Sequence, residues 1–306
     1  MEVKAFNGVL IAILVLLFLF IYWFIPLDTT EFNPLSSSDS NSNFSLNASE
    51  NNSLQFYQNM RFKDTTISYR IEGCPLQRED NMEWAFEILG EETILDFYPV
   101  TYGEEIIVTC EETKKAEGKL FIAGEGGPTN ITIAGDFNVI DSGQILLMKE
   151  SSCEKPNIAL HELLHVLGFD HSANPKNIMY EISRCDQTIG DDIINFINGI
   201  YSIPSQPDLV FENASALMHG KYLSINFSLR NIGLDDAQES IVKIMADGKQ
   251  VEEIQIPEIE IGYGRKISVT NILIKQINVE RIEFIIENNF EEMSKTNNVV
   301  IFEIKK

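Results

Sequence analysis

The sequence predicts two folded units behind one N-terminal transmembrane helix. The first is an α+β unit, a twisted mixed sheet with one helix that carries the chemistry, and the second is an all-β sandwich. Three observations carry that expectation. Residues 5–27 hold no charged side chain, residues 65–203 mix helical and strand periodicities, and after residues 204–207 only short alternating segments follow. At 306 residues and 44% hydrophobic content the chain can fill two cores. Its net charge of -23 excludes nucleic acid as a partner and disfavours docking on anionic lipid headgroups.

In chain order, residues 1–7 read as a cytoplasmic stub and residues 8–27 as a signal anchor. Roughly 20 apolar residues span a bilayer. Lys4 lies before the run and Asp28 and Glu31 after it, which places the N-terminus in the cytoplasm and everything downstream outside the cell membrane, as a single-pass protein. A cleaved signal peptide is the rival reading. The run exceeds a usual apolar signal region, and no small-x-small cleavage site follows it. Residues 28–57 form a Ser/Asn-rich linker with too little apolar surface to fold, which reads as a flexible tether.

The α+β unit occupies residues 58–203. Strands are expected at 65–71, 106–110, 119–123, 130–134 and 144–148, with glycine-rich turns between them, and a helix at 79–95 whose Met82, Ala85, Phe86 and Leu89 recur at helical spacing. The last strand feeds a second helix that begins at Pro156. Cys74, Cys110, Cys153 and Cys185 all fall in this exported unit, so disulfides are expected. Three pairings exist and the sequence does not choose among them. The pairing favoured is Cys74 with Cys110 and Cys153 with Cys185, because the second bridge brackets the histidine helix.

That helix carries His161-Glu162-Leu163-Leu164-His165, followed by Gly168 and His171, and so holds three of the four histidines. Residues four apart share a helix face, so His161 and His165 can turn two imidazoles toward one metal ion. Gly168 can take the left-handed conformation that ends a helix and returns the chain, letting His171 complete a three-nitrogen set with a fourth position open for water. Glu162 borders the same face and can take a proton from that water. Leu160, Leu164 and Leu167 form one apolar row and Ala159, Leu163 and Val166 another, which buries the remaining faces.

The pattern HExxHxxGxxH with a downstream methionine resembles the metzincin zinc peptidases. Ser172, the Met179-Tyr180 pair and Asp191-Asp192-Ile193 running to Tyr201 are similar to matrixins, over roughly residues 60–203. The resemblance implies a metzincin-like fold and a zinc-dependent endopeptidase acting on peptide or protein substrates. It implies one catalytic Zn²⁺ on His161, His165 and His171, Glu162 as general base, and Met179 as the Met-turn beneath the metal. It also implies that an edge strand holds the substrate by β-addition, with residues 130–140 as the candidate. Matrixins usually carry a second, structural zinc on further histidines, but the only other histidine here is His219, in the next segment. The linker has no cysteine to act as a latency switch, and Glu181 stands where matrixins commonly have proline.

Residues 204–306 give about seven strands at sandwich spacing, at 208–213, 222–231, 239–246, 251–256, 265–272, 281–287 and 299–304. Asp247-Gly248 is a hairpin turn signal. The opening Pro207-Asp208-Leu209-Val210, the Asn231-x-Gly233 turn and residues 292–298 resemble CARDB-type immunoglobulin-like modules. Such a module would bind a surface protein or glycan. Ca²⁺ is a possible further ion, though no specific motif indicates it. The alternative function is a cell-surface adhesion or scaffold protein in which the sandwich does the work; a missing ligand or a replaced Glu162 would favour it, and neither occurs.

Overall fold

The computed structural model describes residues 13–17, 29–34, 54–112, 116–117, 120–151, 153–276 and 278–304. The expected transmembrane helix at 8–27 lies mostly outside them. Residues 13–17 are helical and exposed, and among the described residues no helix is long and apolar enough to cross a membrane.

The α+β unit is built on β2 (Met60–Phe62), β3 (Thr66–Glu72), β4 (Asp96–Pro99), β5 (Ile106–Cys110), β8 (Gly124–Ala134) and β9 (Phe137–Leu147). A small hairpin, β6 (Ala116–Glu117) with β7 (Leu120–Phe121), stands apart. The order is β2-β9-β5-β3-β4, all parallel, and β8 pairs antiparallel with β9 outside that order. Parallel neighbours need crossovers. Helix α1 (Leu76–Glu92) joins β3 to β4 and buries Met82, Ala85, Phe86 and Leu89, the stripe that its spacing predicts. Helices α2 (Asn157–Val166) and α3 (Asp191–Tyr201) complete the unit. Ile67, Ile106, Val108 and Ile145 of the sheet and Leu160, Leu163 and Leu164 of α2 share one core.

The sandwich comprises β10 (Leu209–His219), β11 (Tyr222–Asn231), β12 (Ser240–Ala246), β13 (Lys249–Ile256), β14 (Gly264–Leu273), β15 (Arg281–Glu287) and β16 (Val299–Ile304). Burial alternates strictly along β12, as period-2 patterning requires. Asp247 and Gly248 both have positive φ, 44° and 74°, which a two-residue hairpin of primed type demands. A further strand comes from elsewhere. Residues 29–34, at the head of the segment that composition reads as a linker, form β1 (Thr29–Pro34), inserted antiparallel between β10 and β16. The tether reading is corrected for these six residues. Phe32 is 3% exposed among the sandwich's buried residues, and its burial supplies the apolar contact that the surrounding polar residues cannot.

The two units pack together. Leu234 of the sandwich is buried in the α+β core, and Lys63 pairs with Asp235 at 2.5 Å. Buried Arg61 donates to the carbonyls of Ile200 (2.8 Å), Ile203 (2.9 Å) and Lys63 (2.7 Å) and to Ser205 Oγ (3.1 Å), so one guanidinium fastens the interdomain segment to β2.

Candidate metal centre

Helix α2 presents His161 and His165 one turn apart, and its end is set by Gly168. Gly168 has φ +90°, and a Cβ there would lie 2.7 Å from Met60 Cβ, so both backbone conformation and space require glycine. The turn brings His171 back. The nearest ligand atoms of the three histidines lie within 4.8 Å of one another, with His165 Nε2 at 3.0 Å from His161 Nε2 and 3.2 Å from His171 Nε2. Three nitrogens bound tetrahedrally at about 2.0–2.1 Å from one zinc are separated by about 3.3 Å, so the set fits the ion.

The other ring nitrogens are held by backbone. His161 Nδ1 lies 2.7 Å from Ile178 O and His165 Nδ1 2.8 Å from Phe169 O. A protonated Nδ1 donating to a carbonyl leaves Nε2 with its lone pair free for a metal. Burial lowers the proton affinity of both rings, with the neighbouring histidines adding to it, and brings His165 down to about 4. Neutral imidazole is the ligating form.

The segment around Met179 fixes this arrangement. Met179 is 1% exposed, accepts at its carbonyl from the Ser172 N–H (2.8 Å) and donates its own N–H to Asn177 Oδ1 (2.8 Å). Ile178, whose carbonyl holds His161, bonds Thr188 through its N–H. The bridges are Cys74–Cys110 and Cys153–Cys185. The second ties the approach to α2 to the segment after Met179, and Asn157 Nδ2 adds a bond to Arg184 O at 2.7 Å.

Glu162 is 6% exposed on α2. Burial raises its carboxyl to about 8, nearby Glu125 adds to the rise, and the Gly126 N–H opposes it. The walls of this pocket are glycines. A Cβ on Gly124 would lie 2.8 Å from Glu162 Oε1, and one on Gly126 would lie 2.3 Å from the Glu162 carbonyl oxygen. The sequence shows these residues only as a glycine-rich turn; the signal available was the run Gly124-x-Gly126-Gly127 upstream of a strand. β8 pairs β9 on one side, and among the described residues no strand pairs its other edge. The stretch of that edge beside Glu162 is therefore 124–127, upstream of the 130–140 candidate. A second unforeseen neighbour is Phe56, stacked on the His165 ring at 5.7 Å and 19°. Its place is set by pairing of Gln55 with Phe169. His219 lies far along the sequence at the end of β10 and is outside this cluster.

Comparison with known families fits both units. The Matrixin family model matches residues 61–202 and the CARDB family model matches residues 206–302. The first unit is thus matrixin-like, which supports a metallopeptidase, and the second is similar to CARDB modules. Among solved structures, the crystal structure of the CARDB domain of a Pyrococcus furiosus protein in complex with di-metal ions aligns at 16% identity, covering 32% of this chain and 88% of that one, with a TM-score of 0.27. No curated protein matches the chain.

Proposed function

We propose that the chain is an exported zinc endopeptidase, held at the membrane by its N-terminal apolar run. The observation that carries this reading is the convergence of three Nε2 atoms beside a buried carboxylate. Zinc held by His161, His165 and His171 would supply Lewis acidity and a water of lowered pKa. The chain's own residues do the rest. Glu162 takes the proton of the attacking water and returns it to the departing amine. Gly124 and Gly126 keep that carboxylate covered against bulk water, and the Gly126 N–H orients it. Ile178 O and Phe169 O hold two ligand rings in the tautomer that binds metal. The unpaired edge of β8 receives the substrate backbone.

Incubation of the full chain with a peptide library, with and without chelator and with zinc restored, tests the activity: cleavage lost and regained with zinc is expected, and no cleavage at full zinc occupancy contradicts it. Carbonate extraction and protease accessibility on intact cells test the anchor separately. Recovery of the sandwich as soluble protein with a new N-terminus near Asp28 contradicts anchoring alone.

A further inference from the structure

The β8–β9 hairpin reaches two places. Its start passes Glu162, while its tip is gripped by the sandwich. A Cβ on Gly262 would lie 2.6 Å from Ile133 O, and Arg230 Nη2 donates to the same oxygen at 3.4 Å. Two cavities flank this contact. One, of about 270 Å³, is lined by Ile133, Asp136, Phe211, Glu212 and Arg230, from both units. The other, of about 400 Å³, is lined by Glu258, Glu260, Tyr263 and Arg265 of the sandwich. Ile133 is 62% exposed and Tyr263 63%, so apolar surface stays open at the point where the edge strand meets the second unit. The linings carry four carboxylates and two guanidinium groups, a net negative character that matches the whole chain's charge of -23.

We propose that the sandwich supplies the distal subsites of the proposed peptidase, binding basic side chains of an extended polypeptide laid along the unpaired edge of β8 up to the point where Arg230 and Gly262 close over Ile133 O. The continuity of one strand carries this. Seven residues separate Gly126, at the Glu162 pocket, from Ile133, at the sandwich; at about 3.3 Å per residue that is about 20 Å once the irregular register at 128–131 is counted. A substrate antiparallel to β8 places there the residues about seven positions N-terminal to the scissile bond. Lysine or arginine fits the surface twice over: its stem lies on Ile133 and Tyr263, and its charged head meets Glu258 or Glu260, since Glu212 already pairs with Arg230 at 3.7 Å. Short peptides end before reaching it. The natural substrate class is then an unstructured, basic segment rather than a folded loop.

The proposal rests on the peptidase reading, and the test separates the two. The full zinc-loaded chain is given one cleavable core peptide, the core extended by eight residues at its N-terminus with two lysines near the far end, the same extension with two glutamates, and a lysine extension at the C-terminus. Only the N-terminal lysine extension is expected to raise kcat/KM, about five- to tenfold, the scale of two exposed charge pairs. The gain should vanish in a Glu258→Lys, Glu260→Lys protein that cuts the core peptide at the original rate. Equal kcat/KM for all four peptides, or a gain that survives the charge reversal, overturns it. Should no peptide be cut, the peptidase reading fails, and fluorescence anisotropy of the same labelled peptides on the Glu162→Gln protein still decides: tighter binding of the N-terminal lysine extension sustains the surface, and equal binding of all four removes it.

Discussion

Gly126 and Glu162 touch backbone to backbone, closely enough that a Cβ on the glycine would lie 2.3 Å from the glutamate's carbonyl oxygen. This contact lets the edge strand and the histidine helix share a wall, and it places the Gly126 N–H on the Glu162 carboxylate. The obstruction is backbone, which cannot swing aside as a side chain can.

Gly126→Ala should therefore push β8 away from α2, lowering stability by about 1–3 kcal/mol, the usual cost of overpacking, and lowering peptidase rate with it. Gly127→Ala, where a Cβ meets nothing within 4 Å, is the control and should leave both nearly unchanged. Equal effects of the two substitutions in urea unfolding and in kcat/KM would contradict the packing account.

The inserted strand gives a second expectation. Phe32→Ala deletes a buried ring from the sandwich core and should cost about 3–5 kcal/mol in denaturant unfolding of that unit. Asn33→Ala, on the exposed side of the same strand, should cost under about 0.5 kcal/mol. An unchanged Phe32→Ala protein would mean that residues 29–34 do not pair with β10 and β16 in solution.

These elements also show what a sequence reveals and what it withholds. The Asp247-Gly248 turn, the alternation of β12 and the stripe on α1 were legible because each depends on residues a few positions apart. The histidine cluster was legible for the same reason, since helical spacing and one glycine determine it. β1 was not legible: one apolar residue among polar ones gives no period, and its partners lie about 190 and 270 residues downstream. The stretch from Gly124 to Gly127 reads as a turn because glycine weakens strand propensity. There the residue type is chosen by α2 pressing on the strand, which no local pattern contains.

The two disulfides should differ in what they protect. Each encloses a loop of similar length, with separations of 36 and 32 residues, so removing either should cost about 3–4 kcal/mol in the chain-entropy picture. Cys153→Ser with Cys185→Ser also loosens the segment whose Ile178 carbonyl holds His161, so chelator competition should show a greater loss of zinc affinity than Cys74→Ser with Cys110→Ser. Equal zinc affinities would detach that bridge from the metal centre.

Asp208 gives the sandwich a pH dependence. Burial, opposed by the Asn297 amide and reinforced by Glu292, raises its carboxyl from 3.8 to about 6. The folded protein thus keeps a proton that the unfolded chain releases, and the associated stability is fully present below about pH 4 and lost as pH rises through 6. Chemical unfolding followed between those pH values should show the decline in the native chain and a flatter profile in Asp208→Asn. An identical slope in both would assign the dependence to other groups.

Glu162→Gln tests the central claim most directly, because it separates metal binding from catalysis at adjacent residues. The amide keeps size and helix propensity while removing the proton acceptor, and the three histidines are untouched. The protein should retain about one zinc per chain and lose roughly 100- to 10,000-fold in peptidase rate, the usual worth of a general base. His165→Ala should instead lose the zinc itself. Near-native peptide hydrolysis by Glu162→Gln protein at full zinc occupancy would contradict the account and remove Glu162 from the mechanism.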